Sequence, residues 1–232
     1  YRLGNYDDFN LRLNSIAKRD STNIRVAALS AFAANQTQTE DNYLFCKNPI
    51  ELIKFSHIKN HISDPDSFIV NILNEMNDKN SNWEPLNKTT KGGFQTNDKL
   101  FANSSPNMKI LEDILKKELT LFRAEFNNYE SILFQKWPDE MKIAAWYVRM
   151  LQSGHQDSHI HPGGWVSGVF YLKTVESPIQ NEGAIEFGLQ GYDYPIVNEN
   201  YPKHLYQPLN GDLVLFPSSL FHKTIPVIKD VE

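Results

Sequence analysis

Apolar residues recur at helical spacing through the first part of the chain and crowd into short, β-branched and aromatic runs toward its end. Residues 6–20, YDDFNLRLNSIAKRD, set Phe9, Leu11, Leu13 and Ile16 in a loose helical stripe. Ser21 or Thr22 is the expected cap of a second helix, IRVAALSAFAANQ. The stretch FCKNPIELIKFSHI predicts a short helix after Pro49, so residues 1–62 read as a helical region whose first pair resembles the worn end of a helical-hairpin repeat array. Asp64–Pro65 is a helix start, a capping carboxylate followed by proline in the first turn, and leads into DSFIVNILNEMN. Ser105–Pro106 repeats the device before the longest predicted helix, with Ile110, Leu111, Ile114, Leu115, Leu119 and Phe122 on one face. Between these helices, WEPLNKTTKGGFQTNDKLF is rich in Thr and Gly and predicts an extended loop with a strand or two.

The pattern changes at residue 141. KIAAWYVRML, WVSGVFYLKTV, GAIEFGLQ, KHLYQ and GDLVLFPS are short β-rich runs punctuated by Gly, Pro and Asn, with no helix between them. Such a series points to an all-β barrel or jelly roll. The expected class is therefore α+β: a helical N-terminal region over residues 1–62, then a jelly-roll domain over residues 63–232 with supporting helices.

Composition narrows the function. The formal net charge is −5 and basic residues never run beyond pairs, which argues against nucleic acid or an acidic membrane surface as the main partner. The single cysteine, Cys46, cannot form an internal disulfide and excludes a Cys-rich zinc site. No apolar stretch approaches the ~20 residues of a membrane span, and the start has no signal-peptide layout. These features read as a soluble, cytoplasmic protein. The chain opens without Met and stops while a strand-like pattern is still running, which reads as a cut at both ends.

Chemistry concentrates in SHIHPGGWVSGVFYL, residues 158–172. In an extended chain, residues i and i+2 face the same way, so His159 and His161 can aim both imidazoles at one metal. A third ligand must come from elsewhere, and His222, just past the strand GDLVLFPS, is the candidate. Two neighbouring ligands plus a distant histidine make a facial triad with open positions. His155-Gln156-Asp157 also has the His-x-carboxylate form and competes for the role. The preferred set is His159, His161 and His222, because Pro162-Gly163-Gly164 leads that pair straight into a strand. His57, His61 and His204 read as surface or core histidines. The His57/His61 spacing lacks the glutamate of a metalloprotease motif.

RMLQSGHQDSHIHPGGWVSGVFYL followed by GDLVLFPSSLFHKTIP resembles the iron(II)/2-oxoglutarate-dependent oxygenases found behind helical-hairpin (tetratricopeptide) repeats. KTTKGGFQT and YLFCKNPIEL are similar to elements that precede the catalytic domain in that group. The resemblance implies a double-stranded β-helix, one Fe(II), and 2-oxoglutarate and O2 as co-substrates. On the matching positions it implies His159 and His222 as ligands, with His161 standing where most relatives of the wider superfamily carry a carboxylate. It places Ser167 and Tyr171 toward the co-substrate, with Arg149 on the preceding strand and the Thr224 hydroxyl as further contacts. Tyr171 could equally be core and Arg149 a surface ion-pair partner. The superfamily's basic anchor for the distal carboxylate would fall at Val231–Glu232, where the sequence stops.

The leading expectation is an Fe(II)- and 2-oxoglutarate-dependent dioxygenase that hydroxylates a protein or peptide side chain. Two others stay open: a cupin-like three-histidine metalloprotein that does not use 2-oxoglutarate, and a non-catalytic module that holds zinc with a fourth ligand from His155 or Asp157.

Overall fold

The computed structural model describes residues 1–102 and 104–228; the expected anchor position at Val231–Glu232 lies outside them. The N-terminal helices are α1 (Tyr6–Arg19) and α2 (Ile24–Thr37). Asn23, rather than Ser21 or Thr22, caps α2, accepting from the amides of Arg25 and Val26. The α1–α2 junction is pinned by buried Tyr43, whose hydroxyl donates to the Asp20 carbonyl and accepts from the Asn23 amide.

One expectation fails in the stretch after Pro49. Pro49–Leu52 is only a single 3-10 turn, and the chain then extends as strand β1 (Lys54–His57). Its four residues pair with a later strand, so tertiary pairing overrides a pattern too short to declare its period. Strand β1, inside residues 1–62, thus pairs with a strand from the later part of the chain.

Helix α3 (Pro65–Asn77) begins at Asp64, whose side chain accepts from the Ser67 amide at 3.1 Å. Helix α4 (Pro106–Glu125) is capped the same way by Ser105. Both fit the expectation, because the cap oxygen satisfies one of the amides that the first turn leaves unpaired. Replacing Asp64 with Ala should lower stability by ~1 kcal/mol, read as a drop in the urea midpoint with unchanged slope. On α4 the buried face carries Met108, Leu111, Ile114, Glu118 and Phe122, whereas Ile110 is exposed. A short helix, α5 (Ile132–Gln135), follows.

Two short strands, β2 (Asn82–Trp83) and β3 (Thr90–Gln95), lie in the Thr- and Gly-rich segment and form an antiparallel sheet with β4 (Val148–Gln156), in the order β2-β3-β4. Gly92, at φ +57°, lets β3 cross β4 closely: a Cβ there would stand 2.9 Å from the Gly154 Cα.

The remaining strands are β5 (Val166–Phe170), β6 (Ile185–Gly188), β7 (Lys203–Tyr206), β8 (Asp212–Pro217) and β9 (Phe221–Thr224). They build two further three-stranded antiparallel sheets, ordered β1-β8-β5 and β7-β6-β9. Every residue of β8 is buried, because both faces are covered. Val214 and Phe216 turn toward the β6 sheet and pack with Ile185 and Phe187. Leu213 turns the other way, against Ile58, Phe68, Met108 and Ile114 of the helical layer. The Phe187 and Phe216 rings meet edge to face at 4.9 Å between the two sheets. The architecture is thus α+β, with helices outside and two antiparallel sheets sharing one apolar interior.

Candidate metal centre

Backbone pairing assembles the centre. The His159 amide donates to the His222 carbonyl and the His222 amide donates back, both at 3.1 Å. Directly opposed residues of an antiparallel pair share a face, so the two imidazoles must stand side by side. In the β6–β9 pairing His222 also opposes Phe187, which fixes the floor of the site. Two residues past His159, the amide of His161 donates to the Ser218 carbonyl at 3.1 Å, and extended geometry returns its ring to the same side. The residues around His159 form an isolated bridge rather than a strand, and that single bridge keeps the register.

The three rings converge. Centroid separations are 4.2 Å for His159–His222, 4.9 Å for His159–His161 and 5.0 Å for His161–His222. One nitrogen from each lies within 4.8 Å of the others, and this is the metal-competent group among the described residues. Second contacts set the tautomers. His159 Nδ1 lies 2.7 Å from the Asp157 carbonyl and His222 Nδ1 lies 3.2 Å from the Leu220 carbonyl. A carbonyl can only accept, so each Nδ1 carries the proton and each Nε2 keeps its lone pair for a metal.

Electrostatics agree. Burial pushes His159 and His222 below the ordinary imidazole range, and for His222 the two neighbouring rings add to it. His161 is pushed down to about 4, first by burial and then by His159 and Lys88. All three rings are therefore neutral at pH 7. Because the unfolded chain binds these protons near pH 6.5 and the folded chain resists them, stability contributed by this site is lost as pH falls from about 6.5 toward 4. The melting temperature of chelator-treated protein should fall over that window, and a flat profile would contradict the burial of these rings.

His155 and Asp157 are not in the group. They face each other at 3.4 Å, with about a third and a half of their side chains exposed. Ser167 meets Ser218, hydroxyl to hydroxyl, at 2.7 Å. Tyr171 is packed among the inter-sheet residues, and its hydroxyl is buried without a hydrogen-bond partner. Burial raises its pKa, followed by Tyr206 and Asp212. Thr224, on the His222 side of β9, accepts from the Gln156 amide at 2.7 Å. Arg149 is exposed on β4 with its guanidinium 5.0 Å over the Phe94 ring. Two neighbours of the centre carried no signal in the sequence. Trp146 packs its ring 5.4 Å from that of His161, and the Lys88 ammonium sits 6.0 Å over Trp146.

Residues 144–232 match the family described as "Putative 2OG-Fe(II) oxygenase". No curated protein matches the chain at a significant level. Among solved structures it is similar to a prolyl-4-hydroxylase from Pseudomonas putida, at 15% identity and a TM-score of 0.50, covering 76% of this chain and 86% of that one. It is also similar to a prolyl hydroxylase from Trichoplax adhaerens in complex with a hypoxia inducible factor peptide fragment, at 13% identity and a TM-score of 0.54, covering 88% of this chain and 85% of that one. At these identities the likeness is one of fold. The matched segment contains all three histidines.

Fe(II) and 2-oxoglutarate are the cofactors of this centre.

The residues present fit them. Neutral imidazoles suit a divalent iron of borderline softness, and His161 is only partly buried, so the cluster is reachable from one side. The unpartnered Tyr171 hydroxyl offers a buried donor for a carboxylate oxygen. No helix among the described residues is long and apolar enough to cross a membrane.

Proposed function

We propose that this protein is an Fe(II)- and 2-oxoglutarate-dependent dioxygenase that hydroxylates a protein or peptide side chain. The convergence of His159, His161 and His222 within 4.8 Å carries the reading. The facing sheets β1-β8-β5 and β7-β6-β9 are taken as the double-stranded β-helix, with the triad at its mouth. Iron and 2-oxoglutarate together supply the oxidising power to place one oxygen atom of O2 on a C–H bond and the other in succinate.

The chain's own residues do the rest. His159 and His222 are held by their Nδ1–carbonyl bonds, so their donor atoms need no reorganisation when the metal enters. His161 replaces the usual carboxylate and leaves one more positive charge on the centre, which strengthens its pull on an anionic co-substrate. Tyr171, backed by Phe187 and Phe216, presents its hydroxyl from the dry inter-sheet space, with Thr224 and Ser167 flanking on β9 and β5. Arg149 serves as a co-substrate contact only by leaving its Phe94 stack. The peptide-bound hydroxylase among the structural relatives supports a peptide as the substrate class.

The decisive test is an anaerobic Fe(II) titration with and without 2-oxoglutarate, following the visible charge-transfer band of the ternary complex. The band should require 2-oxoglutarate, survive Asp157→Ala and vanish in His161→Ala. Tight zinc binding with no band would favour the zinc-holding module, and a band lost in Asp157→Ala would move the ligand set.

A further inference from the structure

The GGFQT motif places a buried primary amide beside the metal centre. Gln95 is 3% exposed and Thr90 is 1% exposed. Gln156 Nε2 donates to Thr90 Oγ1 at 3.3 Å, and Thr90 Oγ1 donates to Gln95 Oε1 at 2.8 Å. The single hydroxyl hydrogen goes to the Gln95 oxygen, so the relay runs from Gln156 through Thr90 to Gln95. It ends at Gln95 Nε2, which makes no hydrogen bond among the described residues and is not among the fully buried unpartnered atoms.

The face on which Gln95 sits follows from register. Gln95 opposes Val148, so the two share a face of the β3–β4 pair. Trp146, two residues before Val148, reaches the His161 ring, and Met150, two residues after, has its Sδ 3.8 Å from Thr224 Oγ1. This face therefore lies over the His222–Thr224 strand. Gln156 is bonded to that strand through its own amide as well as to Thr90 through its side chain. The two N–H groups of Gln95, uncommitted among the described residues, are free to donate to an acceptor that arrives from outside.

We propose that Gln95 is a substrate-positioning residue whose amide N–H groups donate to the carbonyl oxygen of a peptide substrate beside the metal, with Thr90 locking its orientation. The inference rests on the peptide-hydroxylase reading and adds the group that reads the peptide backbone.

The test uses the full chain loaded with Fe(II) and 2-oxoglutarate and a pool of capped synthetic peptides, with peptide oxygenation followed by mass and succinate measured in parallel. Gln95→Leu should keep the ternary-complex band at unchanged 2-oxoglutarate concentration. It should raise the peptide KM roughly tenfold, the effect of one lost hydrogen bond, and lower the yield of oxygenated peptide per succinate. Thr90→Val should share the defect and Thr90→Ser should rescue it. Unchanged coupling in Gln95→Leu would overturn the proposal. So would a raised half-saturation for 2-oxoglutarate, which would make Gln95 a co-substrate contact, or a wild type that makes succinate but oxygenates no peptide. Absence of both band and succinate in the wild type would instead defeat the oxygenase reading, and this inference with it.

Discussion

His222→Ala is expected to leave a folded protein whose Fe(II) affinity has fallen by ~100-fold or more, since loss even of a residue that supports a ligand costs up to that amount. Of the three proposed ligands, His222 is the one most firmly set by the fold. It is 4% exposed, paired through both backbone groups with His159 and walled by Phe216 at 4.7 Å between ring centroids. Removing the imidazole takes away a donor that no described neighbour can replace, because Asp157 is turned to His155. Anaerobic calorimetry with Fe(II), or Co(II) absorption as a surrogate, reads the loss. Two companion variants sharpen it. His155→Ala should bind as wild type does, and His161→Asp should retain metal, since a carboxylate at that position completes the two-histidine facial triad. Wild-type affinity in His222→Ala would remove β9 from the centre.

The largest stability effect lies elsewhere in the chain. Glu118→Leu is expected to cost about 3–5 kcal/mol, a large part of a domain's total of ~5–15 kcal/mol. Glu118 and His61 form a buried pair, Oε1 to Nε2 at 2.5 Å, with side chains 2% and 4% exposed. Glu118 Oε2 and His61 Nδ1 have no other hydrogen-bond partner. The substitution strands His61 in an apolar layer that holds Ile58, Ile62, Ile114 and Leu115. A His61→Leu/Glu118→Leu double variant should recover most of the loss, because two well-packed apolar groups replace a pair whose desolvation cost rivals its attraction. Urea unfolding of the two single variants and the double closes the cycle. Additive losses would show that the groups do not act as a pair.

Glu118 also marks where a one-dimensional pattern runs out. It stands in the middle of the α4 stripe, four residues from Ile114 and four from Phe122. Read along the helix it is a polar interruption. Its partner is 57 positions away in sequence, and nothing in the spacing of either residue announces the other. Strand β1 makes the same point: four residues carry too little periodicity to be told from a helical turn, and their pairing with β8 decides the matter.

Local sequence was enough wherever the physics is local. Asp64–Pro65 and Ser105–Pro106 declare helix starts because a cap bonds within three residues of itself. The β-rich runs after residue 141 declare strands because alternation and turn residues act over a few positions. His159 and His161 declare a shared target because extended backbone repeats every second residue. That the His222 ring meets the other two, that Tyr171 is left unpaired, and that Trp146 and Lys88 lie in the same neighbourhood depended on cross-strand register. Register is a long-range property, set when β9 pairs with His159 on one side and Phe187 on the other, and only the tertiary structure could decide it.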